Sequence, residues 1–398
     1  MTIASIGSTL AEAQLANHDL QSRVPGIVTW LHFGDLHITE RKEQNYHHFR
    51  ELIQHANRFL QGAVDFAVLP GDNVEDGSEE QYRLVQEALA DLSIPSHAIL
   101  GDHDFKTGSL QLFKKYLRSN THYSFDLDRY HFVFLNAVGG GGHGRFGLGP
   151  EQMTWLSADL HEAARKGLPT VLFLHCYPSE VIDANPSLVD LIGEHDVLMV
   201  DMGHTHYNEI ANDGRVIYAA TRSTGQIEEG PVGFSVTVLD QDVVSWKFNP
   251  LGEWPFVMIT SPADERFITR SRLLNQVVRG EIEVRAMIWD EQEITSVDHR
   301  IDDGDTCPMT RAGGVGRALW SVHWNSAKVT DGIHTMTVTA RNRSGAFSKD
   351  VIRIYVSQAG HYTPEPRHLG DEANAIGPCS EKGILGTQLG PNKNGRKW

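Results

Sequence analysis

Five short apolar runs in the first half of the chain each end abruptly in polar residues. They are IVTWLHFGDLH (27–37), FAVLPGDN (66–73), SHAILGDHD (96–104), TVLFLHCYP (170–178) and VLMVDMGHTH (197–206). Continuous β-branched and aliphatic runs of this kind are typical of strands buried on both faces. The pattern therefore predicts five interior strands, each followed by a loop that carries Asp, His or Asn.

Helical periodicity separates most of these runs. Apolar residues recur at helical spacing from Phe49 to Leu60 and from Tyr82 to Leu92, and another helix is expected to open at Pro150. Strands that alternate with helices predict an α/β domain with a largely parallel, covered sheet. Ligands bind at the carboxyl ends of the strands in such domains, so the five polar loops should converge on one place.

Those loops supply seven candidate metal ligands, which are imidazoles and carboxylates. They are Asp35, His37, Asp72, Asp102, His175, His204 and His206. The set is too large for one tetrahedral ion and suits two ions that share a bridging carboxylate. Any one of these loops alone would more often hold a turn residue, a helix cap or a buried core histidine. Their joint occurrence favours a metal centre.

Composition narrows the class of protein. The chain has 398 residues, enough for two domains, and a formal net charge of −16, which argues against a nucleic-acid platform. Three cysteines provide neither a disulfide framework nor a cysteine-rich zinc site. We see no secretory signal and no apolar run of about 18 residues, so we expect a cytoplasmic protein with no membrane segment.

The motifs GDLH, GDN, GDHD, LH and GHTH, in this order, resemble those of the calcineurin-like metallophosphoesterase superfamily. Bacterial class III cyclic-nucleotide phosphodiesterases are the nearest in spacing. The resemblance implies a four-layer α-β-β-α sandwich of two mixed sheets. The segments RVIYAAT, GFSVTVLD and VVSWKFN would be antiparallel strands that complete the second sheet.

The resemblance also implies roles for the matching residues. The first metal would be held by Asp35, His37 and His206, the second by Asp102, His175 and His204, and Asp72 would bridge them. A metal-bridging hydroxide would attack phosphorus while His103 protonates the leaving alkoxide and Asp104 orients its ring. Two transition-metal ions per chain are implied, iron or manganese first, with zinc as the alternative.

Three further residues are candidate substrate contacts. Asn73 follows the bridging position, where the alternatives are a contact with the surroundings of the metals or a plain turn residue. His143 and Arg145 lie in the glycine-rich segment VGGGGHGRFGLG (138–149), which is equally well explained as a flexible connector.

One position departs from the family pattern, which has Asn where this chain has Asp102. An added carboxylate weakens the positive field of two metal ions, and this favours phosphodiesters over dianionic monoesters. A trivalent iron that restores the balance, a substitution without consequence and a drift away from phosphoesters remain open.

The predicted function is therefore a dinuclear metal-dependent hydrolase of a small phosphoric ester, with phosphodiesters preferred. The alternatives are a metal-dependent hydrolase of a non-phosphoester substrate and a metal-stabilised binding protein that has lost turnover. His103 and Asp104 favour an enzyme, because a purely structural metal site needs neither of them.

The pattern changes near residue 260 to alternating apolar and polar positions separated by turn signals, which is typical of an immunoglobulin-like β-sandwich. We predict a metallophosphoesterase domain over residues 25–258, this sandwich over 259–358 and an irregular tail rich in Gly and Pro over 359–398. The sandwich or the tail is where copies of the chain would associate if it forms a homo-oligomer.

Overall fold

The computed structural model describes residues 24–60, 63–140, 145–182, 186–227, 230–312 and 318–363. Within them, two mixed sheets form the N-terminal part. The first has the strand order β11 (Val243–Pro250), β10 (Gly233–Asp240), β1 (Ile27–Phe33), β2 (Phe66–Leu69) and β3 (Ser96–Ala98). Strands β1, β2 and β3 are parallel, and β10 is antiparallel to both of its neighbours.

The second sheet has six strands. Their order is β4 (Tyr123–Leu127), β5 (Tyr130–Phe134), β6 (Thr170–Leu174), β7 (Val197–Met202), β9 (Ile217–Ala220) and β8 (Glu209–Asn212). The four central strands are parallel, whereas β4 and β8 pair antiparallel at the two edges.

Six α-helices lie in the described residues. They are α1 (Gln44–His55), α2 (Glu79–Leu89), α3 (Gln111–Tyr116), α4 (Gly149–Lys166), α5 (Leu188–Glu194) and α6 (Leu273–Gln276). The predicted start of α4 is confirmed, because Pro150 lies in its first turn. The helix ends at Gly167, whose φ of 69° is the left-handed conformation that glycine adopts without a steric penalty.

Three apolar layers explain why the strands are apolar on both faces. Phe49 of α1 and Val85 of α2 belong to the layer outside the first sheet. Trp30 and Phe173 lie in the layer between the sheets, where their ring centres are 5.7 Å apart. Leu156 of α4 belongs to the layer outside the second sheet. The four-layer α-β-β-α sandwich implied by the resemblance is confirmed.

The structure corrects two topological expectations. The five predicted interior strands do not share one sheet, since β1, β2 and β3 lie in the first and β6 and β7 in the second. The closing strands also divide: RVIYAAT forms β9, parallel to β7, whereas GFSVTVLD and VVSWKFN form β10 and β11 of the first sheet. A continuous apolar run indicates burial on both faces, but it does not specify the neighbouring strand.

The C-terminal part is the all-β sandwich that the alternating pattern predicts. One sheet contains β12 (Phe256–Ser261), β13 (Glu281–Trp289), β17 (Leu319–Asn325) and β16 (Thr310–Arg311). The other contains β15 (Cys307–Pro308), β14 (Ile294–Ile301), β18 (Gly332–Asn342) and β19 (Phe347–Val356). All of these pairs are antiparallel.

The predicted domain boundary between residues 258 and 259 falls inside β12, which pairs with β13. We therefore propose that the link between the domains is the short segment between β11 and β12. At this junction the guanidinium of Arg285 donates to both carboxylate oxygens of Asp240, at 2.7 and 2.8 Å. The predicted tail lies outside the described residues from residue 364 onward. No helix of the described ranges has the length and apolar character that crossing a membrane requires.

Candidate metal centre

The loops after β1, β2 and β7 hold their predicted ligands in an unusual backbone conformation. Seven non-glycine residues of the described part of the chain have a positive φ, and four of them are predicted ligands. These are His37 (44°), Asp72 (48°), His204 (67°) and His206 (63°). Residues with a Cβ adopt this region only where the surrounding structure holds them there. The local strain is thus concentrated where the imidazoles and carboxylates meet.

Two glycines make this close approach of the loops possible. A Cβ on Gly101 would lie 2.1 Å from Oδ1 of Asp72, and a Cβ on Gly203 would lie 2.3 Å from Oδ1 of Asp35. Both distances are well inside van der Waals contact, so a larger residue at either position would displace a carboxylate. The glycines at the ends of these two apolar runs are therefore required by packing against the neighbouring loops.

Four predicted ligands form a first group, Asp35, His37, Asp72 and His206, in which one donor atom from each lies within 4.8 Å of the others. Nε2 of His37 is 3.0 Å from Nε2 of His206 and 3.6 Å from Oδ2 of Asp72. Nε2 of His206 is 3.6 Å from Oδ2 of Asp35. Imidazole nitrogens and carboxylate oxygens that converge in this way form a suitable set of ligands for a transition-metal ion.

A second group contains Asp72, Asp102, His175 and His204, again within 4.8 Å of one another. Nε2 of His175 is 3.5 Å from Oδ1 of Asp72 and 3.3 Å from Oδ1 of Asp102. Nδ1 of His204 is 3.4 Å from the same oxygen of Asp102. Asp72 belongs to both groups, and it directs Oδ2 at the first and Oδ1 at the second. That is the geometry of a bridging carboxylate.

The buried carboxylates require positive charge. Oδ1 of Asp35 is buried and accepts no hydrogen bond from the described residues, and burial raises the pKa of Asp35 well above its usual value. Partial burial acts to raise the pKa of Asp102 as well. Hydrogen bonds from His175 and His204 outweigh this effect, so the pKa of Asp102 lies below its usual value. Deprotonated carboxylates in such a site are stabilised by bound cations, so these residues fit two metal ions.

His103 lies beside the first group, where its ring centre is 4.5 Å from that of His37. Its backbone N–H donates to Oδ1 of Asp72 at 2.9 Å. Its Nδ1 is 3.0 Å from the carbonyl oxygen of Glu75 and 3.3 Å from Oε1 of the same residue. The imidazole is therefore oriented from its Nδ1 side by Glu75.

The contacts of the Asp104 side chain are with the loops around it and with α2, and its predicted role in orienting the His103 ring stays a prediction. The carboxylate of Asp104 is fully buried and accepts hydrogen bonds from the backbone N–H of Gly101, the side chain of Asn73 and the hydroxyl of Tyr82. The Asp104 side chain thus fixes the loop that carries Asp102 and His103, while Glu75 contacts the imidazole. His103 and Asp104 share the 3-10 turn His103–Phe105, and the Nδ1 contacts of the His103 ring are with Glu75.

The three predicted substrate contacts are placed differently from one another. Asn73 is completely buried, and its amide nitrogen donates to Ile99 O and to Asp104, both at 2.9 Å. Both amide hydrogens of Asn73 are thus engaged within the loops around the ligands, and its contact with a substrate stays a prediction. Arg145 is exposed and forms no ion pair with either group within the described ranges. His143 lies outside the described residues.

Comparison with known proteins agrees with this geometry. Residues 28–208 match the family model of the calcineurin-like phosphoesterases, and residues 255–338 match that of a bacterial Ig domain. The chain contains a calcineurin-like metallophosphoesterase domain. A dimetal phosphatase from Danio rerio has the same fold, with a TM-score of 0.50 at 17% identity over 58% of this chain and 98% of that one.

Two curated relatives carry the name glycerophosphodiester phosphodiesterase GpdQ. The probable enzyme from Arcobacter nitrofigilis is 27% identical over 170 residues, which are 39% of this chain and 60% of the relative. The enzyme from Enterobacter lignolyticus is 30% identical over 129 residues, 30% of this chain and 44% of the relative. In both cases the match covers less than two thirds of the relative.

The structure of the phosphoesterase domain also reveals contacts that the sequence did not predict. Oε2 of Glu75 is 2.9 Å from Nδ1 of His37, and the amide of Gln226 donates to the same carboxylate at 3.0 Å. On the other side, the ring of Phe146 packs edge-on against that of His204, with centres 5.0 Å apart. The position of Glu75, three residues after Asp72, is the only local sequence signal for any of these contacts. The other two contacts depend on loops distant in sequence.

Proposed function

We propose that this chain is a dinuclear metal-dependent phosphoesterase and that it prefers phosphodiesters to phosphomonoesters. The observation that carries the proposal is the shared carboxylate of Asp72, with three further ligands on each side and His103 beside it. The two relatives named as glycerophosphodiester phosphodiesterases support the same substrate class. Iron or manganese is the proposed metal, with zinc as the alternative.

Two metal ions bound here would lower the pKa of a coordinated water and offset the charge of the phosphoryl oxygens. The protein fixes the positions of the ligands, because packing holds the loops around Asp72 in strained backbone conformations. His103 acts as the general acid that protonates the leaving alkoxide, and its imidazole is 20% exposed on the side where a substrate can reach it. Glu75 holds the ring from behind.

The charge of the ligand set supports the preference for diesters. Asp35, Asp72 and Asp102 bring three negative charges against four positive charges from two divalent ions, which leaves one positive charge. With Asn in place of Asp102 two would remain. A weaker positive field reduces the stabilisation of a dianionic monoester more than that of a monoanionic diester. The added carboxylate therefore favours diesters.

The test is an assay of matched p-nitrophenyl phosphomonoesters and phosphodiesters on wild-type protein loaded with manganese, iron or zinc. We expect turnover of the diester to exceed that of the monoester. Asp102→Asn, which is nearly isosteric, should shift the ratio of monoester to diester turnover upward by about tenfold when activity is normalised to bound metal. Asp91→Asn, on the exposed surface, is the matched control and should leave the ratio unchanged.

An unchanged ratio in Asp102→Asn would mean that this carboxylate does not tune substrate charge. Absence of turnover with every metal would refute the enzyme and leave the metal-stabilised binding protein. Turnover of carboxylic esters but of no phosphoester would establish the third reading, a metallohydrolase of another substrate class.

A further inference from the structure

The two ligand groups are not equally accessible to a substrate. In the first group the side chains of His37 and Asp72 are each 2% exposed, that of Asp35 is not exposed and that of His206 is 13% exposed. In the second group the side chain of Asp102 is 41% exposed and that of His204 is 26% exposed. A phosphoester must therefore approach the centre from the side of Asp102 and His204.

Phe146 lies on this open side. Its ring centre is 5.0 Å from that of His204 and 6.1 Å from that of His175, the two imidazoles of the second group. The backbone around the ring is anchored on both sides: Ile182 donates from its N–H to the carbonyl of Phe146 at 2.9 Å, and Gly147 donates to Ala137 O at 2.8 Å. The position of the ring is thus set by two neighbouring segments.

The surroundings of Phe146 are apolar. Its ring packs against the apolar layer outside the second sheet. Ile182, hydrogen-bonded to its backbone, is one of the few large aliphatic residues with an exposed side chain, at 55%. The backbone hydrogen bond therefore places an exposed aliphatic residue next to Phe146, the residue whose ring contacts the second group.

The opposite side of the centre is polar. His103 lies against His37 of the first group, and Glu75 beside it pairs with Lys106 at 2.9 Å. Since His103 protonates the leaving group, the leaving alkoxide occupies this polar side. The substituent that remains on phosphorus then points toward the side of His204 and Phe146.

We infer that Phe146, with Ile182 beside it, contacts the ester substituent that remains on phosphorus, and that preferred substrates carry an apolar aryl or alkyl group there. The inference rests on the proposed phosphodiesterase function and adds to it a specificity-determining residue and a substrate class.

The experiment compares phenyl p-nitrophenyl phosphate with methyl p-nitrophenyl phosphate, which share a leaving group and differ only in the retained substituent. On the metal-loaded wild type we expect kcat/KM to be higher for the phenyl ester. Phe146→Ala should lower the ratio of phenyl to methyl kcat/KM about five- to tenfold, the effect expected for loss of one aromatic contact. Phe146→Leu, which keeps an apolar side chain, should retain part of the ratio.

Binding supplies a second readout that does not depend on turnover. Calorimetry with phenylphosphonate and methylphosphonate should show the same loss of discrimination in Phe146→Ala. Phe347→Ala removes an equally large ring from an exposed position in the C-terminal sandwich and should leave both ratios unchanged.

An equal loss for both esters in Phe146→Ala, with the ratio unchanged, would show that the ring only positions His204 and would overturn the inference. A wild-type ratio near one would overturn it as well. If the wild type hydrolyses neither ester, the proposed function fails, while the phosphonate affinities still decide whether Phe146 recognises an apolar substituent.

Discussion

The two ligand groups around Asp72 have similar chemistry and very different surroundings. In the first, His37 is held from outside by Glu75, which in turn accepts hydrogen bonds from Gln226 and Lys106. In the second, Nδ1 of His175 donates to Pro70 O, but Asp102 and His204 reach the surface. A ligand whose distal atom is hydrogen-bonded keeps its orientation and basicity, and an exposed ligand exchanges more readily with solvent.

This difference indicates a division of labour between the groups. We expect the more buried group to retain its ion and the more exposed group to exchange ligands and admit a substrate. The comparison predicts that the two ions leave in a defined order and that substitutions in the two groups have different consequences.

The largest expected effect follows from the shared carboxylate. We expect elemental analysis to find about two transition-metal ions per wild-type chain. His204→Ala should retain about one of them, whereas Asp72→Ala should lose most of both and have no detectable activity. A weak chelator should remove the second-group ion from the wild type easily and the first-group ion slowly, and His204→Ala should lack the easily removed ion.

His103→Ala is the control for this experiment. It removes an imidazole at the edge of the centre that belongs to neither group around Asp72, so the metal content should stay near that of the wild type while turnover falls about 10²- to 10⁴-fold. Equal metal loss in His204→Ala, Asp72→Ala and His103→Ala would contradict the division of the ligands.

Glu75 offers a smaller test of the same comparison. Burial acts to raise the pKa of Glu75, but hydrogen bonds from Lys106 and Gln226 and the charges of His103 and His37 lower it overall, so the residue is a carboxylate at neutral pH. Glu75→Gln should weaken retention of the first-group ion, or lower kcat/KM, by about 10- to 100-fold.

The measurement is metal affinity by competition with a chelator, together with kcat/KM at saturating metal. Asp76→Asn makes the same charge change at the next residue, whose side chain is 65% exposed, and serves as the matched control. Equal metal affinity and kcat/KM in Glu75→Gln and Asp76→Asn would show that burial alone, without the contact to Glu75, retains the ion of the first group.

The sequence predicted features that depend on neighbouring residues better than features that depend on contacts between distant segments. Strand, glycine and polar residue follow one another within a few positions, so the loops carrying Asp72 and His204 were recognisable. The strands and helices of both domains were recognisable for the same reason, because alternation and helical spacing are local, whereas the four-layer arrangement was implied by the family resemblance. The structure then brings all seven predicted ligands into two groups that share one carboxylate.

Features that depend on the path of a distant loop were not predictable. Gln226 reaches Glu75 only because the segment after β9 lies against the loop after β1, and Phe146 reaches His204 from a glycine-rich segment without periodicity. The contact of Glu75 with the His103 ring has the same origin. Sequence adjacency to His103 suggested only Asp104 as a residue that orients the ring.

The smallest expected effect concerns Asp201, whose side chain contacts residues of the strand β1 and which itself lies on β7. Asp201 of β7 accepts a hydrogen bond from the indole of Trp30 at 2.7 Å, and its other carboxylate oxygen is 3.5 Å from Nε2 of His32. Trp30 and His32 are on β1, which leads to Asp35 of the first group, while β7 leads to His204 of the second. Asp201 therefore connects the two strands that support the two groups.

Burial raises the pKa of Asp201 to about 7, against the opposing effect of hydrogen bonds from Trp30 and the Met202 backbone. In the unfolded chain its pKa is near the ordinary aspartate value of about 4. Between these values the unfolded chain is ionised at this residue and the folded protein is not. The contribution of Asp201 to stability therefore falls as pH rises from about 4 to about 7 and levels off above that.

Asp201→Asn removes this titration and keeps an acceptor for the Trp30 indole. Its free energy of unfolding relative to the wild type should therefore increase by about 2–3 kcal/mol between pH 5 and pH 8, measured by urea unfolding at constant metal concentration. Metal content should not change in either group, because Asp201 supports both strands and contributes no ligand. An identical pH dependence in the two proteins would show that Asp201 is not protonated in the folded state. Loss of one ion only would show instead that β1 and β7 support the two groups independently. The difference between the groups would then originate in these strands as well as in the ligands.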